Sequence, residues 1–189
     1  MLPSIFSVTM ATATPRKPMP ARAARRAEPG RPAPSGPADR KALPAQRSRS
    51  ERMSRVDTAW LRMDNDVNLM MIVGVWLLQP AIAYAALCVC VDAKLRPYAR
   101  FHQKVVQDAA GASWVDDDSF DIHHHVVREK LLRKPGQSER AALQQRAGEL
   151  ANTPLAAGRP LWQFHLVERY DGGSALIARV HHCIGDGIA

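Results

Sequence analysis

A chain of 189 residues with 46% hydrophobic side chains is long enough to bury the core of one ordinary domain. Its formal charge of +8 suggests a nucleic-acid or anionic-membrane partner, but that charge is not spread along the chain. Residues 1–50 hold 10 Lys+Arg against 2 Asp+Glu, leaving 16 of each for residues 51–189, so the body is neutral and no nucleic-acid partner is expected.

The same first fifty residues contain nine of the fourteen prolines and hardly any aromatic side chain. Such a composition cannot repay the entropy of ordering, so residues 1–52 read as a disordered, basic Pro/Ala/Arg-rich extension and 53–189 as the domain. Runs such as Pro29-Gly30-Arg31-Pro32-Ala33-Pro34 cannot form the amphipathic helix of a transit peptide, and a signal peptide's apolar h-region is absent. Composition leaves open whether the extension is genuine or translation begins at Met53. The three cysteines, Cys88, Cys90 and Cys183, are odd in number and lack C-x-x-C spacing. They point to a reducing cytoplasm rather than a disulfide framework or zinc ribbon.

From residue 54, Ser54 or Asp57 can cap a short helix with Ala59, Trp60 and Met63 on its inner face. Residues 69–91 are almost uncharged and have the length of a membrane span. Gln79-Pro80 splits them instead into a buried strand, 69–78, and a helix begun by Pro80 and running to about Leu95, because proline and a polar amide are costly at the centre of a lone span. Cys88 and Cys90 then become core thiols. Residues 98–106 read as a strand leading to a turn at 108–111. Residues 120–127 also read as a strand, with Phe120, Ile122, His124 and Val126 on one face and Asp121, His123, His125 and Val127 on the other. That phase puts His124 in the core or a cleft and leaves His123 and His125 solvated.

Ser138 is the expected N-cap of a helix to Ala151, with Ala142, Leu143, Ala147 and Leu150 at helical spacing. Residues 160–168 alternate as a half-buried strand, Trp162, Phe164 and Leu166 against Leu161, Gln163, His165 and Val167. The turn Tyr170-Asp171-Gly172-Gly173 suits a hairpin, which makes 174–182 the antiparallel partner. Period two places Leu176, Ala178, Val180 and His182 on one face of it and Ala175, Ile177, Arg179 and His181 on the other. Helices interleaved with hairpin-paired strands give a mixed-sheet α/β sandwich.

Chemistry-capable side chains concentrate at the end of this last strand. A metal site from His181, His182 and Asp186, with help from His123 to His125, is not expected, because adjacent strand histidines diverge. Cys183 as a nucleophile activated by His182 needs a reach that sequence neighbours seldom have, so a packed thiol is expected. One imidazole as a general base needs neither. His182 ends the strand on its apolar face, where desolvation favours the neutral ring that can accept a proton. Gly185 and Gly187 let the chain turn, and Asp186 can fold back to accept a hydrogen bond or pair with an arginine.

His181-His182-Cys183-Ile184-Gly185-Asp186-Gly187 matches HHxxxDG, the signature of coenzyme A-dependent acyltransferases, whose fold is shared with chloramphenicol acetyltransferase and peptide-synthetase condensation domains. Three earlier segments match as well: the start Met53-Ser-Arg-Val-Asp-Thr-Ala-Trp-Leu-Arg-Met-Asp, the run Trp114-Val-Asp-Asp-Asp-Ser-Phe-Asp-Ile-His-His-His-Val, and Pro160-Leu-Trp-Gln-Phe-His-Leu-Val-Glu. With Arg100-Phe-His-Gln-Lys-Val-Val they make residues 53–189 resemble the N-terminal half of the bacterial wax ester synthase/acyl-CoA:diacylglycerol acyltransferase family.

The resemblance implies a mixed-sheet, two-layer α/β sandwich of the coenzyme A-dependent acyltransferase type, N-terminal half only, with the C-terminal half that closes the active-site tunnel missing. It implies transfer of a fatty acyl group from acyl-CoA, as co-substrate and with no bound cofactor or metal, to diacylglycerol or a long-chain alcohol. His182 would be the general base, His181 and Asp186 would orient it, Gly187 would give the loop room, and Pro160, Leu161 and Trp162 would be the family's PLW motif, facing substrate. It further implies a cytoplasmic protein peripheral to a membrane or lipid inclusion, with the basic tail aiding adsorption to anionic lipid. One departure is Pro154-Leu155-Ala156, where the family usually has Pro-Leu-Asp. The alternatives are a non-catalytic truncated remnant that binds lipid or a partner, and a single-span membrane protein with a basic tail.

Overall fold

The computed structural model describes residues 50–109 and 111–185, which fall within one unit. In chain order its elements are β1 (Ser50–Arg52), α1 (Arg55–Met63), β2 (Met71–Leu78), α2 (Tyr84–Leu95), β3 (Gln103–Asp108), β4 (Gly111–Asp116), α3 (Ile122–His125), β5 (Val126–Arg128), α4 (Glu139–Ala151), β6 (Trp162–Tyr170) and β7 (Gly173–His181). A single 3₁₀ turn, Ala99–Phe101, precedes β3.

Period-two alternation in β6 and β7 builds the main sheet, whose strand order is β2-β7-β6-β5. β2, β7 and β6 are antiparallel neighbours, and β5 joins β6 in parallel. The β6–β7 hairpin turns through Asp171 and Gly172, whose φ values of 47° and 73° are both positive, the backbone twist that suits a two-residue hairpin loop. Leu176 and Val180 face one side, where Leu87, Cys88 and Val91 of α2 pack with Val126, Trp162 and Leu166. Ala175 and Ile177 face the other, against Leu143 and Leu150 of α4. The mixed-sheet α/β sandwich is therefore present, with one helix on each face of this sheet. β6, expected to be half-buried, is covered on both faces, since Leu166 and Val167 are both in the core.

The smaller antiparallel sheet, β1-β4-β3, packs Met53, Ala112 and Trp114 around Cys183, just past the end of β7. This third cluster brings the N-terminal segment to the histidines. β1 pairs with β4, Ser50 opposite Val115, so the ordered chain already includes Ser50–Arg52, inside the segment expected to be disordered. The rest of that expectation, residues 1–49, lies outside the described residues.

Local chemistry also corrects other boundaries. α2 starts at Tyr84 rather than Pro80, because Ala83 is still extended and a Glu168 carboxylate oxygen accepts the Tyr84 N–H at 3.0 Å, satisfying a donor of the first turn. Cys88 is a core thiol as expected, whereas Cys90 is exposed on the opposite side of α2. Asp121 accepts the His123 N–H at 2.9 Å and caps a single helical turn where a strand was expected. That turn changes the phase, so His125 rather than His124 is buried. Among the described residues no helix is long and apolar enough to cross a membrane.

α4 follows its sequence closely: the Ser138 hydroxyl accepts the Ala141 N–H at 3.1 Å, and Ala142, Leu143 and Leu150 are buried. Ser138→Ala leaves that donor without its cap and should cost about 1 kcal/mol. A urea titration with unchanged slope and a lowered midpoint is the expected result.

Candidate active site

The site begins on α1. Ser54 accepts the Asp57 N–H at 3.0 Å and starts the helix, and Asp64 ends it with extended backbone. Asp57, Trp60, Leu61 and Asp64 are partly buried, at the spacing of one helical face, while Ala59 and Met63 are exposed. Of the three inner residues expected, only Trp60 faces in. The helix has turned to present Leu61 and the carboxylates as well.

Beyond α1, Asp64 Oδ1 accepts the Met70 N–H at 2.7 Å, and Met70 O accepts the His182 N–H at 2.9 Å. β7 ends at His181, whose carbonyl accepts the Ile184 N–H at 3.0 Å in a turn. Strand alternation stops there, so the two imidazoles do not diverge to opposite layers as expected. Both reach α1. The His182 ring stacks on Trp60 with centroids 4.7 Å apart and an interplanar angle of 21°. His181 Nε2 lies 3.6 Å from Asp64 Oδ1, too far for a hydrogen bond.

The two histidines differ in environment. His181 is only 4% exposed, and its Nδ1 accepts the Cys183 N–H at 3.0 Å, which places the ring proton on Nε2, facing Asp64. Burial pushes its pKa down, the Asp64 charge opposes that, and neighbouring His182 adds to it. His181 is therefore a neutral, fixed ring. His182 is partly exposed, and its Nδ1 is buried with no hydrogen-bond partner among the described residues. Cys183 is 2% exposed, and burial pushes its thiol up to about 12, which fits a packed side chain and leaves almost no thiolate for nucleophilic work. Asp186 and Gly187 lie outside the described residues. Among those described, no three His, Cys, Asp or Glu side chains converge as a metal set.

The PLW residues separate. Leu161 lines a cavity of about 190 Å³ beside His181, together with Leu61, Leu69, Met71, Val105 and Asp64. Pro160 is buried next to it. Trp162 is 1% exposed, donates its indole N–H to Phe101 O at 2.9 Å, and stacks on His125 at 4.5 Å. Its visible work is packing, whereas a substrate contact was expected.

Of the triple histidine, His123 meets the Tyr84 hydroxyl at 2.8 Å, His124 is exposed, and His125 donates from Nδ1 to Trp162 O at 2.8 Å. A buried polar pair absent from the sequence reading is His165 with Glu129, 3.0 Å apart, the same Glu129 oxygen also accepting from Arg146. Burial lowers the pKa of His125, His165 and His181, against the upward pull of Trp162 O, Glu129 and Asp64 respectively. All three folded values lie below the unfolded imidazole's, about 6.5. Their contribution is thus complete above that value and is lost as pH falls through the folded values. Within that window each imidazole should steepen the loss by up to about 1.4 kcal/mol per pH unit. Urea midpoints measured from pH 8 to pH 5 should be level at first and then fall, and an undiminished midpoint below pH 6.5 would contradict the assignment.

The wax ester synthase/diacylglycerol acyltransferase catalytic domain family matches residues 53–189. A probable diacylglycerol O-acyltransferase of Mycobacterium tuberculosis, tgs3, is 32% identical over 145 residues, 72% of this chain and 52% of its own length. A second from that organism, tgs1, is 38% identical over 100 residues, 51% of this chain and 21% of its own. Among solved structures, the wax ester synthase/diacylglycerol acyltransferase from Marinobacter aquaeolei VT8 superposes with a TM-score of 0.56 at 26% identity, over 73% of this chain and 34% of that one. The starter condensation domain of rhizomide synthetase gives 0.55 at 17% identity, over 72% and 33%, a likeness of fold alone. The chain thus spans about half the length of the first of these relatives and a smaller share of the others.

Proposed function

This chain belongs to the wax ester synthase/diacylglycerol acyltransferase family, and from that premise we propose that it carries the proton-handling wall of an O-acyltransferase using acyl-CoA as donor and diacylglycerol or a long-chain alcohol as acceptor. The observation that carries the reading is the unequal exposure of the histidine pair: His181 is buried and accepts the Cys183 N–H at Nδ1, whereas His182 is partly exposed with its ring stacked on Trp60.

In this reading His182 takes the acceptor's hydroxyl proton as that oxygen attacks the thioester carbonyl carbon. The carbon–sulfur bond then breaks, the ester forms, and the departing thiolate takes the proton back from the imidazolium. His181 and Asp186 orient the base, and Gly187 leaves room in the loop. Leu161 belongs to the apolar lining beside the pair. The further length that the relatives have supplies the facing wall of the tunnel. The protein works from the cytoplasm at a membrane or lipid-inclusion surface, with the basic residues of its first fifty positions favouring anionic lipid.

The test supplies labelled acyl-CoA with hexadecanol or with diacylglycerol, both to this chain and to this chain fused to a relative's unmatched length. Labelled wax ester or triacylglycerol from either protein supports the reading. Lack of ester from both overturns it, and retained lipid binding would then favour a non-catalytic role.

A further inference from the structure

Trp60 and Asp64 are four residues apart at the end of α1, so their side chains leave one face of the helix a turn apart. Each faces one of the two histidines. The Trp60 indole lies on the His182 ring at 4.7 Å, while Asp64 Oδ1 faces His181 Nε2 at 3.6 Å. The same Asp64 oxygen accepts the Met70 N–H at 2.7 Å, and Met70 O accepts the His182 N–H at 2.9 Å, so one carboxylate also secures the backbone of the second histidine.

We propose that α1 is a clamp on His182, with Trp60 setting its ring plane and Asp64 holding the Met70 turn that carries its backbone. The inference rests on the reading of His182 as the base, and it makes Trp60 and Asp64 positioning residues rather than catalytic ones. Stacking suits this task because an indole face restrains the plane of an imidazole without occupying the edge nitrogen that takes the proton. A base that drifts by about 1 Å can lose on the order of 10²-fold in rate.

Nuclear magnetic resonance of the full chain tests this without turnover. Trp60→Leu should move the His182 ring proton signals out of the indole's shielding, and Trp60→Phe should restore part of the shift. Asp64→Ala should speed amide exchange at Met70 and His182, and Asp64→Asn, whose amide oxygen can still accept the Met70 N–H, should slow it again. In a form that transfers acyl groups, the Leu and Ala variants should lose on the order of 10²-fold in kcat with KM unchanged, and the Phe and Asn variants should recover most of it. A lower melting temperature with His182 ring signals unmoved in both Trp60 variants, or unchanged Met70 and His182 exchange in Asp64→Ala, would overturn the clamp. Failure of wild-type transfer would instead strike the acyltransferase reading, leaving the spectra to judge the clamp alone.

Discussion

Replacing His182 by alanine is expected to lower acyl transfer by about 10²–10⁴-fold, the usual scale of a lost general base, with little change in the unfolding midpoint. The two effects separate because the His182 ring is partly exposed and stacks on Trp60. Its backbone tie to Met70 survives the substitution, since that hydrogen bond uses the main chain. His181→Ala is the informative contrast. That ring is buried, accepts the Cys183 N–H and faces Asp64, so its loss should lower stability as well as rate. Ester formation measured beside urea titrations of both variants distinguishes the roles, and a His182→Ala protein with wild-type transfer would remove the proposed base.

Trp162→Ala is expected to produce the largest loss of stability, about 3–5 kcal/mol, because a fully buried indole leaves both a cavity and an orphaned acceptor. Trp162 lies between α2 and the main sheet, with Phe101, His125 and Phe164 rings around it and Phe101 O as its hydrogen-bond partner. A loss of that size is a large share of the roughly 5–15 kcal/mol that holds a domain together. Denaturant unfolding should show it directly. If Trp162 faced substrate instead, the variant would fold normally and show a raised KM, and that outcome would contradict its placement in the core.

The parts of the fold governed by a single local pattern were legible in the sequence. β6 and β7 could be phased from period-two alternation, the Asp171-Gly172 turn from its tolerance of positive φ, and α4 from Ser138 and its helical spacing. Errors arose where a polar side chain overrode the pattern. Asp121 capped one helical turn and reversed the burial of His124 and His125, and Glu168 set the start of α2 from another strand. The site was half legible. The motif identified His182 and His181, but strand alternation sent them to opposite faces, because it could not foresee that β7 ends at His181 and turns. Trp60 and Asp64 were out of reach for a simpler reason: their contacts with the pair cross more than a hundred residues of sequence and have no local signature. A polar residue on the inner face of a short amphipathic helix, as Asp64 is, was the one available hint.

The central claim is that His182 acts as a base in direct transfer and that the protein never carries the acyl group itself. Labelled acyl-CoA added without acceptor, followed by denaturation and measurement of protein-bound label, tests it most directly when paired with coenzyme A release after an alcohol is supplied. The account predicts no label on the protein, Cys183 included, and one coenzyme A released per ester formed once the alcohol is present. Acyl label retained on the denatured chain, or coenzyme A release that does not depend on the alcohol, would contradict it.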